Sequence, residues 1–178
     1  FGQDDAGITQ DFDQPGFTDY AYGYLPNDRR HRFKLWGSVN LSDNVTVGAN
    51  YRLDSPRSQS CLGWHPTDVF AQGYGAASHY CLGEPSPRGT AQKTDWISTL
   101  DVSARLKFEM PTGQKVTFRA DVFNLLNSQG IQKRNEIGEV NYDPTNFPAN
   151  PYFPNSNYGL PTLYQAPRSV RLGLDIEF

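Results

Sequence analysis

The segment that decides the fold is Arg168-Ser169-Val170-Arg171-Leu172-Gly173-Leu174-Asp175-Ile176-Glu177-Phe178. From Val170 onward every second residue is apolar, and the residues between them are arginine, glycine, aspartate and glutamate. This period-two alternation predicts a β-strand with one apolar and one polar face. The sequence stops there on an aromatic residue, whereas soluble domains usually end in a frayed polar tail. On its own, the segment also fits the last strand of a soluble sheet.

Composition narrows the class of protein. The 178 residues suit one domain, and a mean hydropathy of -0.63 is too polar for a helical membrane protein. A transmembrane barrel is not excluded, because only every second residue of its strands faces lipid. The net charge of -3 lacks the basic footprint of a nucleic-acid-binding protein, so we expect no such partner. The sequence starts at Phe1 rather than Met, and we expect an upstream portion to be missing.

The remaining strands are predicted from the same alternation. They cover residues 32–41, 45–54, 95–108 and about 115–123. Short stretches of turn-forming residues, 42–44 and 109–114, join them into two hairpins. Between the hairpins and before the last strand lie two long connections, residues 55–94 and 128–167, which far exceed a usual hairpin loop. Short turns thus alternate with long loops, as in outer-membrane barrels.

The length of the third strand fits a bilayer. From Trp96 to Phe108 the chain extends about 40 Å at about 3.3 Å per residue. With a tilt of about 45° this spans roughly 28 Å, close to the apolar band of about 25 Å in such barrels. We therefore expect the following residues to face lipid: Val102, Leu106, Val170, Leu172 and Leu174. A soluble sheet would need a second layer over its apolar face, and the sequence predicts none.

The polar faces of the predicted strands carry many charges. They are Arg52, Asp54, Arg105, Lys107, Arg119, Asp121, Arg171, Asp175 and Glu177. The interior of a soluble core cannot hold so many charges, whereas a wide aqueous or plugged lumen can.

Three motifs resemble one family. They are Tyr24-Leu25-Pro26-Asn27-Asp28-Arg29-Arg30-His31, Phe118-Arg119-Ala120-Asp121-Val122-Phe123-Asn124-Leu125-Leu126-Asn127 and Tyr164-Gln165-Ala166-Pro167-Arg168. In this order they resemble TonB-dependent outer-membrane receptors of the Oar-like group, over about residues 15–178. The resemblance implies an all-β fold: an antiparallel up-and-down meander that forms about the last five strands of a barrel of roughly 22 strands. Residues 1–178 would be the C-terminal part of that barrel, with long extracellular loops, and the plug and earlier strands would be absent.

The resemblance also implies a function and partners. Such a receptor lies in the outer membrane of a Gram-negative bacterium and takes up a large or scarce substrate, whose identity is unknown. Its partners are the remaining barrel and plug, the TonB complex through the missing plug, lipids and the barrel assembly machinery. That machinery would read the last strand, with Leu174, Ile176 and Phe178 as the assembly signal.

A second function remains open at this point. A non-transporting adhesin or surface-binding barrel would share these strands, and an upstream plug with a TonB-contacting segment would separate the two alternatives. No catalytic constellation is visible, so we expect neither an enzyme nor a cofactor.

Both cysteines lie in the first long loop. Cys61 and Cys81 would be exposed to an oxidising compartment, which favours a disulfide between them. With His65 and His79 they also form Cys-x3-His and His-x-Cys spacings, which could ligate zinc. We predict the disulfide over the metal site.

Two loop segments are rich in aromatic residues. Residues 1–31 are acidic and aromatic without periodicity, and we interpret them as a solvated loop. Residues 142–161 place aromatics between prolines, which could form a recognition surface. We favour the alternative, in which this loop packs on its own aromatic side chains.

Overall fold

The computed structural model describes residues 12–146 and 151–178. These residues form strands, one short helix and two short 3-10 turns at Pro15–Thr18 and Pro144–Asn146. In chain order the elements are β1 (Arg32–Ser42), β2 (Val45–Asp54), β3 (Ser58–Gln59), α1 (Val69–Gln72), β4 (Tyr80–Cys81), β5 (Glu84–Pro85), β6 (Gln92–Lys93), β7 (Ile97–Glu109), β8 (Lys115–Phe123), β9 (Ile131–Arg134), β10 (Glu139–Tyr142), β11 (Tyr152–Pro154), β12 (Pro161–Tyr164) and β13 (Ser169–Glu177).

The chain divides into two compact units. The sheet unit comprises residues 31–55, 96–130 and 165–178 and contains the five long strands. The loop unit comprises the described parts of residues 1–30, 56–95 and 131–164 and contains the short elements. The fold is therefore all-β, with a regular sheet in one unit and four small two-stranded sheets in the other.

The sheet unit is an antiparallel meander. Its five strands are ordered β1-β2-β7-β8-β13, so each strand pairs with its neighbour in the series. Among the described residues, β1 and β13 form the two edges of this sheet. The predicted meander of five antiparallel strands is confirmed. Strand β7 begins two residues later than predicted, at Ile97, and β13 ends at Glu177.

The pairing register sorts the side chains into two faces. Directly opposite residues share a face, so each transverse row of side chains lies on one side of the sheet. One such row reads Val39–Val47–Ala104–Ala120–Leu172. The adjacent row reads Asn40–Thr46–Arg105–Arg119–Gly173. The alternation predicted in each strand is thus in phase across all five, which gives the sheet one apolar face and one polar face.

Two asparagines explain why the segment after β8 can turn away from the sheet. Asn124 and Asn127 have φ values of 49° and 51°, in the left-handed region that asparagine tolerates better than most residues. The buried Asn124 side chain donates to the carbonyl oxygens of Ser128 and Ala166, at 2.9 Å and 2.8 Å, and accepts from the Ser128 N–H. Asn124 therefore ties the end of β8 to the approach of β13.

The loop unit has more structure than its sequence predicts. Helix α1, four short strand pairs and two 3-10 turns occupy segments that lack hydrophobic periodicity. Cys81 itself lies in β4. Residues 12–31 contain no strand and are mostly exposed, as the predicted solvated loop requires, but Phe17 departs from that prediction. Phe17 is 2% exposed and packs edge-on against Tyr74, with ring centroids 5.2 Å apart. Residues 1–11 of that prediction lie outside the described residues.

We predict that Asn124→Ala destabilises the sheet unit by roughly 2–3 kcal/mol, because three hydrogen bonds of a buried group are lost and alanine is strained at this φ. The measurement is the urea midpoint of the full-length protein refolded in lipid vesicles. Asn127→Ala is the matched control, since that exposed side chain accepts one bond, from the Arg168 N–H at 3.0 Å. Equal losses in the two variants would contradict this role of Asn124.

Candidate functional site

The apolar face of the sheet unit is exposed. Leu172 is 65% exposed and Val39 is 56% exposed, and no side chain on the paired apolar positions of this face is buried in the described structure. Burying a Val or Leu side chain stabilises a protein by about 1.5–3 kcal/mol, so a face of this size is unfavourable in water. An apolar surface that extends over five strands is typical of a contact with another protein or with a membrane.

The polar face is charged and partly ion-paired. Its charged residues are Arg32, Lys34, Arg52, Asp54, Asp101, Arg105, Lys107, Glu109, Lys115, Arg119, Asp121, Arg171, Asp175 and Glu177. Arg119 and Arg171 form ion pairs across strands with Asp175 and Asp121, each at 2.8 Å. Arg52 forms an ion pair with the buried Asp54 on its own strand. This face suits contact with water or with polar protein groups.

A disulfide cross-links the loop unit. Cys61 and Cys81 are bonded, with their Cα atoms 5.6 Å apart, as the sequence predicted. Gly138 packs directly against this bond, because a Cβ atom there would lie 2.5 Å from the Cys61 Sγ atom. The Gly138 N–H also donates to the Leu62 carbonyl oxygen at 2.7 Å. The disulfide therefore joins two parts of the first long loop at a point where the second long loop crosses them.

Glu139 holds the same segments together from inside. This residue is fully buried, and its Oε2 atom accepts from the Trp64 N–H at 3.0 Å. Its Oε1 atom accepts from the Leu82 N–H, one residue beyond Cys81. Burial raises the pKa of the Glu139 carboxyl, although the N–H donors of Trp64, Leu82 and Gly83 act in the opposite direction. Nothing in the sequence pattern indicated Glu139, since it lies 75 residues from Trp64.

The two histidines near the cysteines have other partners. The Nδ1 atom of His65 accepts from the Thr67 and Asp68 N–H groups, so its Nε2 carries the proton and donates to Asp19 at 3.1 Å. His79 is buried beside Arg88, whose guanidinium donates to its Nε2 at 3.2 Å. Within residues 12–146 and 151–178 no group of three metal-ligating side chains converges. The structure thus uses these histidines in loop packing.

Hydrogen bonds from side chains to backbone groups stabilise the rest of the loop unit. The buried Gln59 side chain accepts from the Arg134 N–H at 3.0 Å and donates to its carbonyl oxygen at 3.4 Å. Asp68 caps α1. Desolvation acts to raise the pKa of its carboxyl, but the N–H groups of Ala71, Phe70 and Gly16 together outweigh it and the pKa is lowered. In the predicted aromatic–proline segment, the rings of Tyr142 and Tyr152 pack 5.3 Å apart. Phe147 and Pro148 of that segment lie outside the described residues.

The predicted assembly signal is exposed. Leu174 and Ile176 lie on the apolar face of β13, and Phe178 follows the strand. Recognition of these residues by an assembly machinery stays a prediction.

The structure shows no helix, among the residues it describes, that is long and apolar enough to span a bilayer.

Comparison with known proteins gives one informative similarity. No protein-family profile and no solved structure matches the chain. The chain is similar to the TonB-dependent transporter Oar of Myxococcus xanthus, with 30% identity over 207 aligned positions. The alignment covers 99% of this chain, which spans 19% of the length of that transporter. This similarity supports a protein related to TonB-dependent transporters, as the motifs predicted.

We predict that replacing both cysteines by alanine opens the loop unit without unfolding the sheet unit. The disulfide closes a loop with a sequence separation of 20. Closure of this length contributes about 3 kcal/mol in the chain-entropy model. Limited proteolysis of the full-length protein should therefore cut residues 61–81 faster, while strands β7, β8 and β13 stay resistant. Gly138→Ala should have a similar effect and Gly37→Ala should not, because a Cβ atom on Gly37 meets no atom within 4 Å. Unchanged cleavage in the double-alanine variant would contradict the role of the disulfide.

The buried Glu139 predicts a pH dependence. A carboxyl whose folded pKa exceeds its unfolded value binds more protons when folded, so its contribution to stability falls as pH rises between the two values. The loop unit should therefore open more easily at neutral pH than below pH 4.5, the ordinary pKa of this carboxyl. Hydrogen exchange at the Trp64 and Leu82 amides, corrected for the intrinsic rate at each pH, measures this opening. Glu139→Gln should remove this pH dependence. Glu84 is an exposed glutamate in β5, and Glu84→Gln should leave the dependence in place. A pH dependence that survives Glu139→Gln would contradict the assignment to Glu139.

Proposed function

We propose that this chain is part of the β-barrel of a TonB-dependent outer-membrane receptor or transporter that takes up a large or scarce substrate. The observation that supports this most strongly is the exposed apolar face of the five-stranded sheet, in phase across all its strands. The similarity to the Myxococcus xanthus transporter supports the same class independently. In this role the chain is not an enzyme and needs no cofactor.

In the proposed barrel the sheet unit is a piece of the wall. Its apolar face contacts lipid, and its polar face lines the lumen. Strands β1 and β13 then pair with strands of the remaining barrel, because unpaired backbone groups in lipid each cost several kcal/mol. The partners of this wall are the remaining barrel, the plug and the surrounding lipids.

The loop unit takes the extracellular position in this proposal. Its segments connect β2 to β7 and β8 to β13, whereas short turns make the other connections of the sheet. Barrels of this class place long loops outside the cell and short turns in the periplasm. The disulfide and Glu139 would hold this unit in one conformation, ready for a substrate. The TonB complex would act through the plug, and the assembly machinery would read β13 and Phe178.

We predict that Leu172→Arg lowers the stability of the barrel by about 2–4 kcal/mol, the cost of arginine at the bilayer midplane of a lipid-facing strand. Val102, Leu106, Val170 and Leu174 should behave alike, with smaller losses toward the ends of the strands. The measurement is the folded fraction of the full-length protein in the outer membrane, from the shift of its band in unheated gel samples.

Thr117→Arg is the control for this prediction. Thr117 lies on the polar face of β8, between Lys107 of β7 and Asp175 of β13, so an arginine there keeps contact with water and its two charged neighbours have opposite effects. It should fold as the unmodified protein does. Equal loss of folded barrel from both arginine variants would refute the assignment of the two faces.

A further inference from the structure

The polar face of the sheet unit contains a concavity of 320 Å³. Its lining includes Trp36, Asn50, Asp101, Ser103, Asp121 and Phe123, which come from strands β1, β2, β7 and β8. Small-molecule sites usually measure about 300–1,000 Å³, so this concavity can hold a small group.

The register explains the shape of this concavity. Trp36 is opposite Asn50, and Asn50 is opposite Asp101, so the three form a transverse row. Phe123 continues this row on β8, because the preceding pair is Val102 with Val122. The recess is deepest in the adjacent row, which contains Gly48 and Ser103, because Gly48 has no side chain. Two aromatic rings thus stand at the ends of a recess that carries carboxylate, amide and hydroxyl groups.

One end of the recess already binds a cation from the chain itself. The Arg171 guanidinium donates to the Asp121 Oδ2 atom, with Nη2 at 2.8 Å and Nε at 3.1 Å. Its Cζ atom also lies 5.3 Å from the centroid of the Phe123 ring. A carboxylate and an aromatic ring therefore bind one guanidinium here, by a charge-assisted hydrogen bond and a cation–π contact.

A second aromatic ring and a second carboxylate face the same recess: Trp36 stands at its other end on β1, and Asp101 lies between the two rings on β7, two strands from Trp36. Trp36 is 74% exposed, and tryptophan is the aromatic side chain that attracts cations most strongly. The Asp101 Oδ1 atom accepts from the Asn124 N–H at 2.8 Å. No basic side chain of the described residues forms an ion pair with Asp101.

We propose that Trp36 and Asp101 form a binding site for a second cationic group, a guanidinium or a primary ammonium ion. Asp101 supplies the counter-charge, the Trp36 ring covers the cation, and Asn50 and Ser103 offer further oxygen acceptors. The cation comes either from a solute in contact with the polar face or from a lysine or arginine of the remaining protein. The site depends on the register of the sheet and does not require that the protein transports a substrate.

The first test is binding of labelled L-argininamide to the purified full-length protein in detergent, measured by equilibrium dialysis. Asp101→Asn should weaken binding about tenfold, because a charge-assisted hydrogen bond is lost while the acceptor for the Asn124 N–H remains. Trp36→Ala should weaken it about threefold, as expected for a partly exposed cation–π contact. Glu109→Gln removes a carboxylate elsewhere on the same face and should leave binding unchanged.

A second test detects a cation that belongs to the protein. Such a cation would occupy the site and prevent L-argininamide from binding. It would also couple the effects of the Trp36 and Asp101 substitutions on stability, although these residues lie on strands that are not neighbours. The thermal midpoints of Asp101→Asn, Trp36→Ala and the double variant should then be non-additive. Binding that depends on Asp101 identifies a solute cation, and non-additive midpoints without binding identify a resident one. Absence of binding together with additive midpoints would overturn the proposal.

Discussion

The constraint on which the rest of this structure depends is an apolar sheet face that the described chain leaves exposed. Five strands are paired in phase, so most apolar side chains of the sheet point to one side. In water such a face would bind a second layer or aggregate. A bilayer satisfies it directly, and the same solution requires that every strand edge be paired, which only a closed barrel achieves. The barrel that we propose would cover the apolar face with lipid and pair both edge strands.

The loop unit is stabilised in a different way. Its buried residues include Glu139, Gln59 and His79, and few of its described large apolar residues are buried, so an apolar core contributes little. Its order comes from side chains that bind backbone groups of distant segments and from one disulfide. Small folded units with limited cores commonly rely on such cross-links. A loop held in one conformation binds a partner with less loss of entropy, which is useful for a recognition surface.

Much of the sheet unit could be predicted from the sequence, because its strands depend on a pattern that each strand carries by itself. Strand β2 has the predicted bounds, and the polar turns between paired strands are where the sequence placed them. The in-phase register follows from the need to keep one face apolar. The recess between Trp36 and Phe123 could not be predicted, since it depends on which residues of four strands lie side by side.

The loop unit could be predicted only in part. The disulfide followed from two cysteines in one loop, but the contacts of Glu139 and Gln59 each join positions 75 residues apart, and no local pattern marks them. The left-handed conformation of Asn124 and Asn127 gives a physical reason for the two asparagines of the motif after β8. That motif was recognised by resemblance, and its hydrogen bonds to Ala166 and Arg168, just before β13, became visible only in the structure.

The most direct test of the central claim is the environment of β13 in the membrane. Single cysteines at each position from Val170 to Glu177 of the full-length protein can carry a nitroxide label, whose collisions with oxygen and with a water-soluble nickel chelate are then measured. Oxygen concentrates in lipid and the chelate in water. A lipid-facing sheet should give high oxygen accessibility at Val170, Leu172, Leu174 and Ile176, and chelate accessibility or protein contact at the residues between them. Equal accessibility of all positions to the chelate would contradict a lipid-facing sheet.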